Sequence, residues 1–433
     1  MPRIMGMRGL IASSIGVTCA AALALPLTLP AASHAAPAPA RDALAGSTQS
    51  LALARLGATR AADRPEEQGL ARRDVRPFSL VGVVWDDPNA ELHGRVQVRT
   101  RTTATAAWSG WQDVETHNDD APDLDTSERT ASHVRGATAP LWVGDSDGVE
   151  VRVSGEPPAP TRAAAPPLPS GLRLELVDPG TDEDPGPEGA PADAPRGNPP
   201  AGTVIPELSK QATEDELIAA AGGDTSAAQA RPYVGPRPRI VTRKGWGADE
   251  KLREHKLGYT KTVKAAFVHH SATGNNYRCA QAASVIRGIY RYHVKSSGWR
   301  DIGYNFLVDK CGTIYEGRAG GVTKPVMGAH TLGFNTNSTG IAVLGSYSST
   351  SPPAAVVDAL ARLTAWKLGL TGANPSGTTT LKSGGGNLYP KGKNVRLHVI
   401  SGHRDGFATE CPGRRLYDEL GTARAGSARL QGR

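Results

Sequence analysis

The sequence predicts an α/β protein: a C-terminal mixed β-sheet flanked by helices, preceded by a small β-sandwich-like domain and disordered linkers. Three observations carry this expectation. Beyond residue 240, short apolar runs alternate with two stretches of helical periodicity, as expected of a sheet with helices on its faces. Between 78 and 176, short runs alternate apolar and polar residues, with Gly, Asp and Pro between them. The remainder draws heavily on 50 Gly and 33 Pro in a chain only 39% hydrophobic, a mixture of folded domains and connectors.

The chain opens with Arg3 and Arg8, then an Ala/Leu-rich run from Ile11 to Leu29, then Ser33-His34-Ala35. A basic start, an apolar stretch and a small-residue site read as a secretory signal, residues 1–35. A membrane anchor competes for the same run, but Pro26, Pro30 and the small-residue site behind them oppose it. A soluble, secreted, extracellular protein is expected, with no membrane association once the signal is cut.

Residues 36–74 read as a flexible spacer. Residues 75–178 hold the strand-like runs, among them Leu80–Trp85, Val96–Thr100, Leu141–Val143, Val149–Val153 and Leu172–Leu176. Asp145-Ser146-Asp147-Gly148 begins like a calcium loop but lacks the later ligands, so a tight turn is the better reading. Trp85, Trp108, Trp111 and Trp142 are either core residues or a sugar-stacking surface, with core favoured. Residues 179–238 form an acidic Pro/Gly-rich linker with a short helix near 214–221.

In the last domain, 239–433, Lys264–Val268 is a buried strand ending at His269. Cys279–Val294 carries Ala282, Val285, Ile286, Ile289, Tyr290 and His293 on one helical face. Tyr304–Val308 and Gly312–Glu316 form a hairpin, Gly340–Leu344 a strand, and Pro352–Leu368 a helix with proline at its entry. Val395–Ile400 is a strand that delivers His403. Both His269 and His403 therefore stand just past strand ends, where open α/β sheets place ligands.

Cysteine usage sharpens the site. Cys19 leaves with the signal, and three remain: Cys279, Cys311 and Cys411. An odd count in an exported protein asks for a bridge and one special thiol. Cys279–Cys311 as a disulfide and Cys411 as a metal ligand satisfy all three. His403 and Cys411 are eight residues apart, and imidazole and thiolate are the ligands Zn²⁺ prefers. Charge is also uneven: residues 239–433 hold 28 Lys and Arg against 11 Asp and Glu, a net of +17, which leaves −10 for the first 238. A polyanionic surface is the expected partner, and a solubilising positive surface is the competing reading. No nucleic-acid-binding motif accompanies the charge.

These stretches together resemble the peptidoglycan recognition protein family, in its zinc-dependent type-2 N-acetylmuramoyl-L-alanine amidase form, as found in secreted actinobacterial members. The matching blocks are Phe267–Ser271, Gly298–Phe306, Ile314–Arg318, Gly328–His330, Gly402–Asp405 and Thr409–Gly413, in family order. The resemblance implies the amidase/peptidoglycan-recognition fold and one Zn²⁺ per chain, held by His269, His403 and Cys411. It places Tyr304 and Thr409 at the reaction site, and His330, Asn335 and Trp299 in the groove that binds the muramyl peptide. His270 is the competing ligand beside His269, and alternation along a strand lets only one face the metal. His398 is available as a fourth ligand in a closed structural site, and Glu316 is read as structural. The implied reaction is hydrolysis of the amide between N-acetylmuramic acid and L-alanine in peptidoglycan. The implied protein is a cell-wall-associated monomer, with anionic wall polymers as further partners. A peptidoglycan-binding recognition protein without activity is the alternative; such members typically lack the cysteine ligand, which this chain keeps as Cys411.

Overall fold

The computed structural model describes residues 46–56, 66–116, 120–157, 166–181, 200–220, 222 and 233–433. The expected signal, 1–35, lies outside these residues. Among them no helix is long and apolar enough to cross a membrane.

Eight strands build the N-terminal sheet: β1 (Ser47–Ala52), β2 (Ala54–Arg55), β3 (Glu67–Trp85), β4 (Gly94–Thr102), β5 (Gln112–Val114), β6 (Gly136–Ala137), β7 (Leu141–Gly155) and β8 (Arg173–Asp178). The order is β1-β8-β3-β7-β4-β5, with β2 and β6 also on β3. All pairings are antiparallel. The long strands β3 and β7 slip register between Leu70 and Arg73, and again on either side of Phe78. Such irregularities bend a strand and raise its twist. The bent sheet closes over Phe78, Val81, Val83, Val96, Val151 and Leu174, which gives the sandwich-like layering expected.

Strands β1, β2 and the start of β3 lie inside 36–74, the stretch read as a spacer, and correct that boundary. Ala71–Asp74 are exposed on both faces, so no apolar alternation marked them in the sequence. Asp145 and Asp147 sit within β7, not in a turn: Asp147 accepts from Arg101 at 2.7 Å and Asp145 from Ser79 at 2.9 Å. Trp85 and Trp142 are core residues. Trp108 and Trp111 are half-buried beneath the guanidinium groups of Arg72, Arg99 and Arg152.

The stretch read as a linker contributes β9 (Val204–Ile205) and α1 (Lys210–Ala220). Strand β9 extends the edge of the second sheet, and buried Thr213 accepts from the Arg237 amide at 3.0 Å. That sheet also holds β10 (Ile240–Val241), β11 (Ala265–His270), β12 (Phe306–Val308), β13 (Ile314–Glu316) and β14 (Ser338–Val343). A hairpin of β15 (Thr378–Lys382) and β16 (Asn394–His398) stands apart, and β17 (Ile400–Gly402) returns to the sheet. The run read as one strand from Val395 to Ile400 is thus divided between two sheets. The order β17-β11-β14-β12-β13-β10-β9 is mixed: β17, β11, β14 and β12 are parallel, and β12–β13 is antiparallel.

Helix α2 (Ala282–Arg291) follows a 3-10 turn at Cys279–Gln281 and runs into a π turn at Tyr292–Ser296. Helices α3 (Ala354–Gly369), α4 (Arg414–Asp418) and α5 (Leu420–Gln431) complete the domain. Val356, Leu360, Leu363 and Trp366 of α3 and Leu420 of α5 pack on Val268, Ile341 and Ile400 of the sheet. The disulfide Cys279–Cys311 ties the start of the α2 region to the β12–β13 turn.

The two halves share a core. Leu80, Val84, Trp142 and Val177 of the N-terminal sheet cluster with Val285, Ile286, Ile289 and Tyr292. This explains the unbroken apolar run Leu80–Trp85: the strand is buried on both faces. Gly82 is needed where the Tyr292 ring crosses β3, because a Cβ there would lie 2.3 Å from the phenol oxygen. That hydroxyl donates to the Thr138 carbonyl at 3.1 Å. The described residues belong to one compact unit, not to two domains on a free tether.

Candidate metal centre

Strands β11 and β17 lie side by side and parallel, with Val268 opposite Gly402. The next residue on each is a histidine, so His269 and His403 emerge together, their ring centres 4.5 Å apart. His269 shares its face with Phe267, whereas His270 points with Val268 toward the helices. There the His270 ring Nδ1 accepts from the Tyr347 amide at 3.2 Å. After Gly402 the chain turns sharply, and Asp405 accepts from the Gly402 amide at 2.9 Å and from Tyr417 at 2.7 Å. The Arg404 amide donates to the Cys411 carbonyl at 3.0 Å and closes the loop. Cys411 Sγ thereby reaches 3.7 Å from His269 Nδ1.

The donor atoms of His269, His403 and Cys411 all lie within 4.8 Å of one another, and all three residues are buried. Burial pushes the His269 and His403 imidazoles down to about 3 and His330 well below its usual value. All three are therefore neutral at physiological pH, the form that binds a metal. His403 has no hydrogen-bond partner for either ring nitrogen among the described residues. On the far side of the His269 ring, Nε2 meets His330 Nδ1 at 3.2 Å and Thr331 Oγ1 at 3.3 Å. Such outer contacts orient a ligating imidazole and leave its other nitrogen for the ion. Two imidazoles and one thiol in this arrangement fit Zn²⁺. His398 is exposed on β16 and Glu316 accepts from the Arg243 amide at 3.2 Å, so neither belongs to the cluster.

Tyr304 lies beside the cluster, its ring 5.6 Å from that of His269. Thr409 accepts from the Cys411 amide at 3.2 Å and holds the loop that carries the thiol. His330 is fully buried behind His269. Asn335 accepts from the His330 and Thr331 amides at 2.7 and 3.1 Å. Trp299 stacks on His293 at 4.4 Å and is buried among Val134 and Ala329.

Three residues of this neighbourhood escaped the sequence reading: Asp120, Asp123 and Glu128, all from the N-terminal half. Asp120 Oδ2 accepts from the Tyr304 hydroxyl at 2.5 Å, and Oδ1 lies 3.0 Å from His269 Nδ1 and 3.5 Å from His403 Nδ1. Asp123 accepts from the Gly333 amide and the Asn335 side chain, both at 2.8 Å. Glu128 forms a buried, two-pronged pair with Arg318 at 2.8 and 2.9 Å. Burial alone would raise the Glu128 carboxyl, but Arg318 and Arg300 hold it below its usual range. One signal was available: more than 20 residues without strand or helix pattern separate β5 from β6. Such long loops inside a compact domain are usually functional.

Fold and cluster define the class: an α/β protein with a buried His-His-Cys candidate metal site at the ends of parallel strands. Residues 259–414 match the N-acetylmuramoyl-L-alanine amidase family, and residues 31–170 match a family described as Rv3811 N-terminal galactose-binding domain-like. Peptidoglycan-recognition protein SC2 of Drosophila simulans is 32% identical over 185 residues, covering 42% of this chain and 85% of the relative. A peptidoglycan recognition protein of Trichoplusia ni is 30% identical over 181 residues, covering 42% and 85%. Among solved structures, wild-type Drosophila PGRP-LB matches at 27% identity with a TM-score of 0.34, covering 42% of this chain and 92% of that one. The chain belongs to the peptidoglycan recognition protein and N-acetylmuramoyl-L-alanine amidase family.

Proposed function

We propose that this protein is an exported zinc amidase that hydrolyses the bond between N-acetylmuramic acid and L-alanine in peptidoglycan. The observation that carries the reading is the convergence of His269, His403 and Cys411 within 4.8 Å, with three protein donors as catalytic zinc sites use. Zinc, when bound, lowers the pKa of water to about 7 and polarises a carbonyl. The chain's own contribution is placement. Tyr304 lies beside the cluster, and its hydroxyl donates to Asp120 in the folded chain. Once substrate takes the place of that carboxylate, the hydroxyl is the donor for the oxygen that gains charge as the amide is attacked. Its role is to donate and orient. Thr409 positions Cys411, and the His330–His269 contact fixes the ring that faces the ion. The disulfide braces the segment from which Tyr304 projects.

The chemistry of the cationic domain suits a wall that carries anionic polymers and peptide carboxylates. Export through the segment at 1–35 is part of the same reading. The test is zinc content and release of muramic-acid-free peptides from peptidoglycan, for residues 36–433 and for Cys411→Ser. About one zinc per chain, lost together with peptide release in the variant, is expected. Zinc and wall binding without peptide release, from a chain whose site is accessible, would leave a recognition protein.

A further inference from the structure

Residues 120–135 belong to the N-terminal half, yet they are fastened to the amidase domain along their length. The Ala121 carbonyl accepts from the Asn335 side chain at 2.9 Å, and Asp123 accepts from the same group. Asp125 pairs with Lys391 at 2.5 Å. Glu128 pairs with Arg318 and accepts from the Arg300 amide at 3.1 Å. Val134 covers Trp299, and the Arg135 amide donates to the Ser297 carbonyl at 3.1 Å. Arg129 reaches back to the Pro88 carbonyl at 2.7 Å and so ties the strap to its own domain. Three of the residues assigned above to peptide binding or catalysis, Trp299, Tyr304 and Asn335, are thus already occupied by this one segment.

At the metal cluster the match is closer still. Zinc bonds of about 2.0–2.3 Å in a tetrahedron put neighbouring donors roughly 3.2–3.7 Å apart. Three separations fall near that range: 3.0 Å for Asp120 Oδ1 to His269 Nδ1, 3.5 Å to His403 Nδ1, and 3.7 Å for His269 Nδ1 to Cys411 Sγ, while the His-His-Cys donors as a set lie within 4.8 Å. The Asp120 side chain is only 3% exposed, and Tyr304 holds its second oxygen. Its first oxygen is left facing the two imidazoles.

We propose that residues 120–135 are a built-in occupant of the peptide groove, and that the Asp120 carboxylate supplies the fourth donor to the metal held by His269, His403 and Cys411. The folded chain is then held below the activity its site can reach, because one segment covers both the groove and the open metal position. The inference rests on the metal-dependent reading above. The strap shares chemistry with the ligand it displaces: it is a turn-rich peptide whose carboxylates meet Arg318, Lys391 and the Asn335 amide. Leu124, at its turn, is 38% exposed, so the strap is reachable from solvent for displacement or cleavage.

The test uses residues 36–433 loaded with Co²⁺ or Zn²⁺, with Asp120→Ala, and with Asp123→Ala, which loosens the strap without touching the metal. Melting curves confirm that each variant is folded. Azide titration followed by the Co²⁺ absorption bands reads access to the fourth position, and calorimetry with a synthetic muramyl tripeptide reads the groove. At least tenfold tighter azide binding is expected for Asp120→Ala, and at least tenfold tighter muramyl-peptide binding for both variants. Wild-type protein that binds azide and muramyl peptide as tightly as the variants overturns the proposal. So does a wild-type chain that releases peptide while Asp120→Ala does not, since Asp120 would then take part in the reaction. Variants that bind both probes more tightly but never release peptide would support the strap and remove the amidase reading.

Discussion

Replacing Glu128 by Gln removes one charge from a pair buried at the junction of the two halves. Glu128 and the Arg318 side chain are 4% and 7% exposed, and two hydrogen bonds of 2.8 and 2.9 Å join them. Arg318 would remain buried, with Asp301 as its residual counter-charge and the Ile302 carbonyl accepting at 2.9 Å. Breaking such a pair from one side costs about 3–5 kcal/mol, and the remaining Asp301 places this case near 3. In a chain of this size that lowers the melting temperature by about 3–4 °C. Urea unfolding at pH 7 measures it directly, and Glu128→Gln combined with Arg318→Met should recover much of the loss, since no uncompensated charge is left. The pH dependence has a definite sign. The Glu128 carboxyl is held below its ordinary value of 4.5, so its contribution is full above that value and fades as pH falls through the depressed folded value. The gap between wild type and variant should therefore shrink below about pH 4. A loss under 1 kcal/mol at pH 7, or a gap that widens in acid, would refute the assignment of this pair as a buried fastening between the halves.

Gly82→Ala places a methyl group 2.3 Å from the Tyr292 hydroxyl and should cost about 1–3 kcal/mol by overpacking, read in the same unfolding assay. A change under 0.5 kcal/mol would mean that the ring moves aside freely. Tyr304→Phe, compared with Tyr304 in the Asp120→Ala background, should keep its zinc and lower peptide release about 10²–10³-fold, the usual size for one lost oxyanion donor. Unchanged release would return Tyr304 to a groove-lining part.

Much of the C-terminal domain was legible because its signals are local. An all-buried strand ending in His269, an amphipathic helix after Cys279, proline at the entry of α3 and the His403–Cys411 loop each lie within a few residues. Three cysteines left little freedom for the bridge, and alternation along β11 let only one of His269 and His270 face the metal, a place the family resemblance gave to His269. The N-terminal half was harder to read. Its strands curl through register slips, and β1 and the exposed middle of β3 carry no alternation to mark them.

Chain order and residue chemistry thus specify the fold class, the family and the His-His-Cys trio, since each depends on short-range pattern and ligand type. What only the folded chain decides are contacts between residues far apart in sequence. Leu80 and Val84 meet α2, Glu128 meets Arg318, and Asp120 arrives beside histidines nearly 150 and nearly 300 residues later. An aspartate in an acidic loop looks like any solvated charge. Its meaning comes from a bent sheet docked on a helix through a shared apolar core, and no local period encodes that docking.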